Sequence, residues 1–308
     1  MPGTIAREQL HTVQLVQITA YDANGQIAQG IMQAHATQLA DAGIRVFIPC
    51  AGSSEFHSLT ADEIVSTVGS LREALGPEPV IMVPVGLQPA HAAEVGQRSL
   101  EAGANAALVM PLSFPYLSDE GARDYYVTLM DQLQCPTLIY KKDPLPSDDL
   151  LLELADHPHL VGIKYAVNDI NSFNQVVQAD GGRIDWFCGS AERFAPFFSL
   201  AGSPGYTSGA GNLCPRVTLA MHAAISAGDW QEAMRLQNIL LPIEHYRARS
   251  GNSYNISMLK YAMHLVGFDF GQPRPPFRRL TAAEEREIDE MMAPIMAAEA
   301  ELSDALAR

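Results

Sequence analysis

The sequence predicts a (β/α)8 barrel, the TIM barrel, followed by a C-terminal helical extension. Within the first 228 residues, about eight short apolar segments alternate with segments of helical period. This alternation is typical of a parallel sheet with helical connections, and eight units favour a closed barrel over an open sheet. The first turn, residues 19–26, also lacks the G-x-G-x-x-G pattern of a nucleotide-binding open sheet. From Asp229 onward the pattern is entirely helical, so we divide the chain into a barrel, 1–228, and a helical region packed on it, 229–308.

The predicted strands are short apolar runs bounded by turn residues. Runs of this length without polar alternation are typical of strands that are buried on both faces. They cover residues 13–19, 44–49, 80–86, 106–110, 137–140, 160–165, 185–188 and 205–208.

The predicted helices follow from apolar residues that recur every three or four positions and from start and stop signals. A helix over 27–42 ends at Gly43, and Thr60 with Glu63 forms a capping box that opens the next helix. Asp148 and Asp149 lie in the first turn of another helix, where the helix dipole favours negative charge. The remaining barrel helices are 89–102, 119–133, 170–178 and a short helix that ends at Leu200, and the extension contains 230–243, 255–265 and 282–306.

The composition argues against several classes of function. The net charge of −15, with no Lys/Arg cluster to offset it, argues against nucleic-acid binding. No apolar run approaches the roughly 18 residues of a membrane-spanning helix, and the first ten residues lack the apolar core of a signal peptide. The four cysteines are far apart and form no C-x-x-C motif, which is typical of a reduced chain. We therefore expect a cytoplasmic protein that binds neither nucleic acid nor membrane.

The most informative segment is Leu160–Tyr165, an apolar strand that contains one lysine, Lys164. A buried ammonium is unfavourable unless it is paired or loses its proton. One interpretation is structural: Lys164 pairs with a carboxylate such as Asp169, or reaches back to solvent. The other is chemical: a desolvated amine of lowered pKa attacks a carbonyl and forms a Schiff base. The preceding strand ends in Tyr140, whose phenol suits acid/base chemistry on an imine, and this favours the nucleophile.

The candidate site residues follow different strands but are expected to meet. In a barrel of this kind, catalytic groups lie at the C-terminal ends of the strands. The polar residues at these ends are Ser53, Ser54, Tyr140, Lys164, Thr207 and Ser208.

Other candidate sites are weaker. His157 and His159 have the spacing of a metal site, but they precede strand six on the face away from the site and lack a third ligand. The glycines near residues 202–211 lack a P-loop lysine. Cys50 and Cys188 are interpreted as small core residues. We therefore expect no metal.

At this point the sequence resembles the dihydrodipicolinate synthase/N-acetylneuraminate lyase family of class I aldolases. The segment Ala51-Gly52-Ser53-Ser54-Glu55 with Leu59-Thr60 is similar to the family's GTTGE-x3-LT segment, Ile139-Tyr140 to its tyrosine strand, and Gly162-Ile163-Lys164 to its lysine strand. Ser257 to Lys260 and Arg274-Pro275-Pro276 are similar to its C-terminal part.

The resemblance implies a role for each matched segment. Lys164 would form the Schiff base, Tyr140 would act as acid and base, and the segment with Gly52, Ser53 and Ser54 would hold the carboxylate of a 2-keto acid. It also implies a homo-oligomer, a dimer or tetramer. No metal or organic cofactor is needed, because the lysine supplies the electron sink.

Two departures bear on the substrate. Dihydrodipicolinate synthases carry Tyr-Tyr-Asn where this chain has residues 112–117, and an arginine after the strand-five tyrosine, where residues 141–146 contain none. Glu55-Phe56, the segment around Tyr116, and Thr207-Ser208 resemble the branch of 5-dehydro-4-deoxyglucarate dehydratases, which suggests that Tyr116, Thr207 and Ser208 contact substrate. That branch has an aspartate after its lysine, where this chain has Tyr165.

The sequence therefore predicts a Schiff-base lyase, an aldolase or a dehydratase, that acts on a 2-keto acid, and the partial resemblance to the dehydratase branch favours one derived from a sugar acid, such as 5-dehydro-4-deoxyglucarate. Two alternatives stay open. One is condensation of pyruvate in the manner of a dihydrodipicolinate synthase. The other is a barrel that binds a keto acid without catalysis, as a sensor or scaffold.

Overall fold

The computed structural model describes residues 5–306, and its eight strands form a closed parallel barrel in chain order. The last strand pairs with the first, which closes the sheet and confirms the predicted fold class. The strands are β1 Val13–Leu15, β2 Val46–Phe47, β3 Val80–Val85, β4 Ala106–Val109, β5 Thr137–Lys141, β6 Leu160–Tyr165, β7 Asp185–Cys188 and β8 Tyr206–Ser208. Nearly every strand residue is buried, as the short apolar runs predict.

The first two strands are shorter than the predicted ranges 13–19 and 44–49. Their apolar residues remain buried beyond the strand ends, although the backbone there is no longer part of a strand. One further ladder bond persists at each, from Val16 N–H to Ser208 and from Ile48 N–H to Leu15. Hydrophobicity therefore marks burial here, and the strand ends where the backbone leaves the ladder.

Helices connect the strands on the outside of the barrel. They are α1 Gln29–Asp41, α2 Ala61–Leu75, α3 Pro89–Glu101, α4 Asp119–Leu133, α5 Asp148–Leu154, α6 Ile170–Asp180, α7 Ala195–Leu200 and α8 Pro215–Ser226. The predicted capping box at α2 is present, since Thr60 Oγ1 accepts from Glu63 N–H and the Glu63 carboxylate accepts from Thr60 N–H. Helix α8 was missing from the predicted ranges, although Pro215 at its first position is a common helix-start signal.

Three helices follow the barrel: α9 Trp230–Asn252, α10 Asn255–Ala262 and α11 Ala282–Leu306. Helix α9 extends beyond the predicted end at Ile243, and its regular geometry ends where Arg249, Ser250 and Gly251 leave helical dihedral angles. Helix α9 packs on α8 and α7, α10 approaches residues 52–54, and α11 packs on α8, α9 and α10. The division of the chain at residue 228 stays a prediction. None of the helices within residues 5–306 is long and apolar enough to cross a membrane.

Candidate active site

A cavity of about 260 Å³ opens at the carboxyl ends of the strands. Six of the residues predicted from sequence line it, namely Gly52, Ser53, Tyr140, Lys164, Thr207 and Ser208. Its remaining walls come from the loop after β7, from the helices α9 and α10, and from residues that follow β1, β5, β6 and β8. The closed barrel thus brings together residues from segments that are far apart in the chain.

The pairing of β5 with β6 places Tyr140 directly beside Lys164. Lys164 Nζ lies 4.0 Å from the centre of the Tyr140 ring. Gly189, just after β7, keeps this corner tight, because a Cβ atom there would lie 3.0 Å from Cγ of Lys164 and 2.9 Å from the Tyr165 carbonyl oxygen. A side chain at position 189 would therefore crowd the stem of the lysine.

Lys164 is only 5% exposed, and within residues 5–306 no carboxylate pairs with its ammonium. Asp169, the partner considered from sequence, instead caps α6 by accepting from the N–H groups of Asn171 and Ser172. The pKa of Lys164 is lowered to about 7, chiefly by burial; Cys188 opposes this, and the positive charges of Arg247 and Lys142 contribute to the lowering. A large fraction of the amine is therefore unprotonated near neutral pH.

Burial has the opposite effect on Tyr140. It raises the pKa of the phenol to about 12, with a contribution from Asp143, while the charge of Arg247 lowers it. The phenol thus keeps its proton at neutral pH and can donate it.

The loop after β2 presents its backbone to the cavity. Gly52, Ser53 and Ser54 form one turn of 3-10 helix, whose first N–H groups have no acceptor within the turn. Ser54, predicted to bind substrate, is fully buried, and its hydroxyl donates to the backbone oxygen of Gln17. The structure therefore does not bring the Ser54 hydroxyl into the cavity.

A buried ion pair fixes the position of this loop. Glu55 has a left-handed backbone conformation (φ 67°), and its carboxylate accepts from Lys260 Nζ at 2.8 Å. The other carboxylate oxygen accepts from Arg274 N–H at 2.7 Å. Both charged side chains of the pair are almost completely buried. The loop is thus tied to α10 and to the segment before α11.

The two predicted hydroxyls of β8 behave differently. Both residues line the cavity, but the hydroxyl of Ser208 donates to Glu192 and accepts from Gly211 N–H. Because strand side chains alternate, Ser208 shares the outward face of Tyr206, which bonds Thr218 on α8. The Ser208 hydroxyl is therefore already engaged in hydrogen bonds within the protein.

Tyr116 is not among the residues that line the cavity, since it is 98% exposed on the loop between β4 and α4. Lys141 turns away from the cavity, because Nζ donates to the backbone oxygens of Pro144 and Pro146 and lies 3.3 Å from Asp148. Lys142 lines the cavity.

His157 pairs with Asp131 at the opposite end of β6, and no group of three or more His, Cys, Asp and Glu residues in the described part could hold a metal ion.

Sequence reasoning missed Arg247, Glu244 and Asn255, which enter the cavity from α9 and α10. Arg247 is 6% exposed and pairs with Glu244 at 2.5 Å. Its Nη2 also donates to Asn255 Oδ1 at 2.9 Å and to Ser53 Oγ at 3.3 Å. A Glu and an Arg three positions apart are common on exposed helix surfaces, so the sequence carried no signal that this pair is buried.

Together these groups can perform imine chemistry on a bound anion. An unprotonated amine lies beside a protonated phenol, and free N–H groups and a guanidinium lie in the same cavity. This combination suits a carbonyl compound that carries a carboxylate.

Comparison with known proteins places these features in a family. The model of the dihydrodipicolinate synthetase family matches residues 10–295. A protein of Streptomyces griseus named "Probable 5-dehydro-4-deoxyglucarate dehydratase" is 28% identical over 90% of this chain and 89% of its own, and one of the same name from Acinetobacter baumannii is 26% identical over 90% and 93%.

Solved structures agree with the fold. Dihydrodipicolinate synthase from Oceanobacillus iheyensis superposes with a TM-score of 0.89 at 30% identity, covering 93% of this chain and 96% of that one. A catalytic-lysine mutant of the sialic acid aldolase from Ruminococcus gnavus has a TM-score of 0.88 at 16% identity, covering 96% and 98%, which supports the fold alone.

The low pKa of Lys164 predicts unusual reactivity for its amine. Reductive methylation with formaldehyde and cyanoborohydride, followed by peptide mapping across a pH series, should give half-maximal modification of Lys164 near pH 7. The exposed Lys142 shows in the same samples that an accessible amine is modified. A midpoint for Lys164 near the ordinary lysine pKa, about 10.4, would contradict the effect of burial.

Proposed function

This chain belongs to the dihydrodipicolinate synthetase family, and we propose that it is a Schiff-base dehydratase of a hydroxylated 2-keto dicarboxylate such as 5-dehydro-4-deoxyglucarate. Members of this family are class I lyases, and the chain is an enzyme of this class. The observation that carries the proposal is the buried Lys164, which no carboxylate within residues 5–306 pairs with and whose Nζ lies 4.0 Å from the Tyr140 ring inside a cavity. The substrate comes from the names of the relatives, which describe their activity.

The chemistry of that substrate matches the two groups. Its name describes a six-carbon diacid with a ketone beside one carboxylate, a methylene group next to the ketone, and hydroxyls beyond it. The unprotonated amine of Lys164 attacks the ketone to give a carbinolamine. Tyr140 protonates its hydroxyl, which leaves as water, so that an iminium ion and a phenolate remain.

The iminium then drives the loss of water. The Tyr140 phenolate removes a proton from the methylene group, and the C–H electrons form an enamine. These electrons return to expel the hydroxyl one carbon further on, which leaves as water with the proton held by Tyr140. Water then hydrolyses the conjugated iminium, Tyr140 takes up the proton released, and the amine of Lys164 is restored. Two waters leave and one enters, so the net reaction is the loss of one water.

The charge of the cavity suits a dianion in a chain of net charge −15. Lys142, Arg193 and Arg247 line it as cations, against the single carboxylate of Glu244. With the Lys164 amine unprotonated, the lining carries three positive charges and one negative charge, a net charge of +2. Local positive charge in a cleft raises the concentration of an anionic substrate.

The second candidate is condensation of pyruvate, because dihydrodipicolinate synthase is the name of a structure that is 30% identical. Residues 141–146 offer no arginine for a second substrate, and Lys141 is held by backbone oxygens.

We also propose a homo-oligomer, a dimer or tetramer. Its support is the family and the exposed aromatic side chains of Phe114 and Tyr116 on one loop. A substrate contact by Tyr116 stays a prediction.

Turnover of a panel of 2-keto acids tests the substrate. We expect loss of water from 5-dehydro-4-deoxyglucarate, and little condensation of pyruvate with aspartate semialdehyde in the coupled assay for dihydrodipicolinate. A condensation efficiency of roughly 10⁴ M⁻¹s⁻¹ or above, within the ordinary enzyme range, would favour the synthase. Tight binding of keto acids without turnover of any would favour a sensor.

Replacement of the phenol tests the acid/base role. Tyr140→Phe should bind keto acids as the parent does but turn over about 10²–10⁴-fold more slowly, because it removes a positioned proton donor. Tyr125→Phe, which removes a phenol that bonds the Leu87 backbone oxygen outside the cavity, is the matched control and should keep its activity. Equal turnover in Tyr140→Phe and the parent would show that the phenol is structural.

A further inference from the structure

The loop after β2 has lost the hydroxyl donors that a carboxylate would need. Position 52 is a glycine, where the family segment carries a hydroxyl residue. The Ser54 hydroxyl is buried against Gln17. The Ser53 hydroxyl donates to Asn255 Oδ1 at 3.1 Å. The N–H groups at the start of this turn remain available to a ligand. A carboxylate can accept several further hydrogen bonds, however, and this loop carries no positive charge to balance it.

Arg247 lies against this loop. Its guanidinium packs on Gly209 at the end of β8, where an added Cβ would lie 2.5 Å from Nη2 and 2.6 Å from Nη1. From there Nη2 reaches Ser53 Oγ at 3.3 Å. The guanidinium therefore spans the mouth between the β8 and β2 loops. Gly209 is needed for this position, since any side chain would displace it.

Arg247 retains donors for a ligand. A guanidinium has five N–H donors in a fixed fork, and this one uses three of them, on Glu244, Asn255 and Ser53. Its Nε has no hydrogen-bond partner among residues 5–306, although the side chain is almost fully buried. A buried donor without a partner is unfavourable. Nη1 donates only to Glu244 among the described residues, so one of its two N–H groups is also unused in a residue that lines the cavity.

The geometry points to Arg247 as the residue that binds the carboxylate adjacent to the keto group, together with the N–H groups of Gly52 and Ser53. This inference rests on the proposed function. The guanidinium replaces the missing hydroxyls and adds a charge, so that recognition of the keto acid depends on an ion pair. Its positive charge also acts on both Lys164 and Tyr140, which places it within electrostatic range of the reacting carbon.

The charges balance when the imine forms. In the free protein Arg247 is neutralised by Glu244. The substrate brings one carboxylate to this corner of the cavity, which holds Arg247, Glu244 and Lys164. Lys164 gains one positive charge when it becomes an iminium ion. The corner then holds two positive and two negative charges, so the buried iminium has a counter-ion in the substrate itself.

A purely structural role is the alternative. In that case Arg247 would only tie α9 to the β2 loop through Ser53 and Asn255, and its loss would weaken every ligand alike. The two roles differ in one property, the preference for a charged carboxylate over a neutral group of the same shape.

The test compares pyruvate with pyruvamide, its neutral amide, in borohydride trapping on Lys164 at concentrations below saturation. We expect the pyruvate-to-pyruvamide rate ratio of the parent to fall about 10- to 100-fold in Arg247→Met, the effect of one charge-assisted hydrogen bond. Arg247→Lys keeps the charge but loses the fork, and should show a smaller fall. Arg249→Met is the control, since Arg249 is exposed on the same helix and pairs with Glu287 at 2.6 Å; it should keep the parent ratio.

Circular dichroism reports whether each variant is folded. If Arg247→Met does not fold, the result for Arg247→Lys, which can still pair with Glu244, tests the inference instead. A parent ratio retained in a folded Arg247 variant overturns the inference, and so does an equal loss of rate for both compounds. If the parent forms no adduct with either compound, the proposed function fails. Titration calorimetry then decides the inference separately, because pyruvate should still bind more weakly to the Arg247 variants than to the parent and Arg249→Met.

Discussion

The parallel pairing of β5 with β6 is the constraint on which the site depends, because it sets Tyr140 beside Lys164. Two glycines let the chain close tightly here. A Cβ at Gly162 would lie 2.7 Å from the Asp185 backbone oxygen, and one at Gly189 would press on the lysine stem. No carboxylate in the described part of the chain pairs with Nζ, and burial lowers the pKa of the lysine to about 7. The fold thus produces a nucleophilic amine without a dedicated base.

The C-terminal helices complete the other half of the cavity. The buried Lys260–Glu55 pair fastens α10 to the β2 loop, and removal of one partner would leave an uncompensated charge, typically 3–5 kcal/mol of destabilisation. Arg247 lies where the regular part of α9 ends, and the C-terminal end of a helix dipole favours a cation. A barrel without these helices would keep the lysine and the tyrosine but lose the charged wall that faces them.

Sequence reasoning predicted the barrel because short apolar runs, which indicate buried strands, alternate with segments of helical period. It also placed Tyr140 and Lys164 at the ends of neighbouring strands. It failed where position depends on the direction of a side chain or on tertiary contact. Ser54 and Ser208 were expected to face the substrate, but a turn and the strand alternation direct their hydroxyls to Gln17 and Glu192. Arg247 was missed because nothing local distinguishes a buried Glu–Arg pair from a surface pair.

Formation of a covalent imine at Lys164 is the central claim. The chain contains four lysines, Lys141, Lys142, Lys164 and Lys260, which peptide mapping can separate. Borohydride added in the presence of a 2-keto acid should add the mass of one reduced adduct to the peptide that contains Lys164, with loss of activity in proportion. No adduct with any keto acid, or an adduct on one of the other three lysines, would contradict the account.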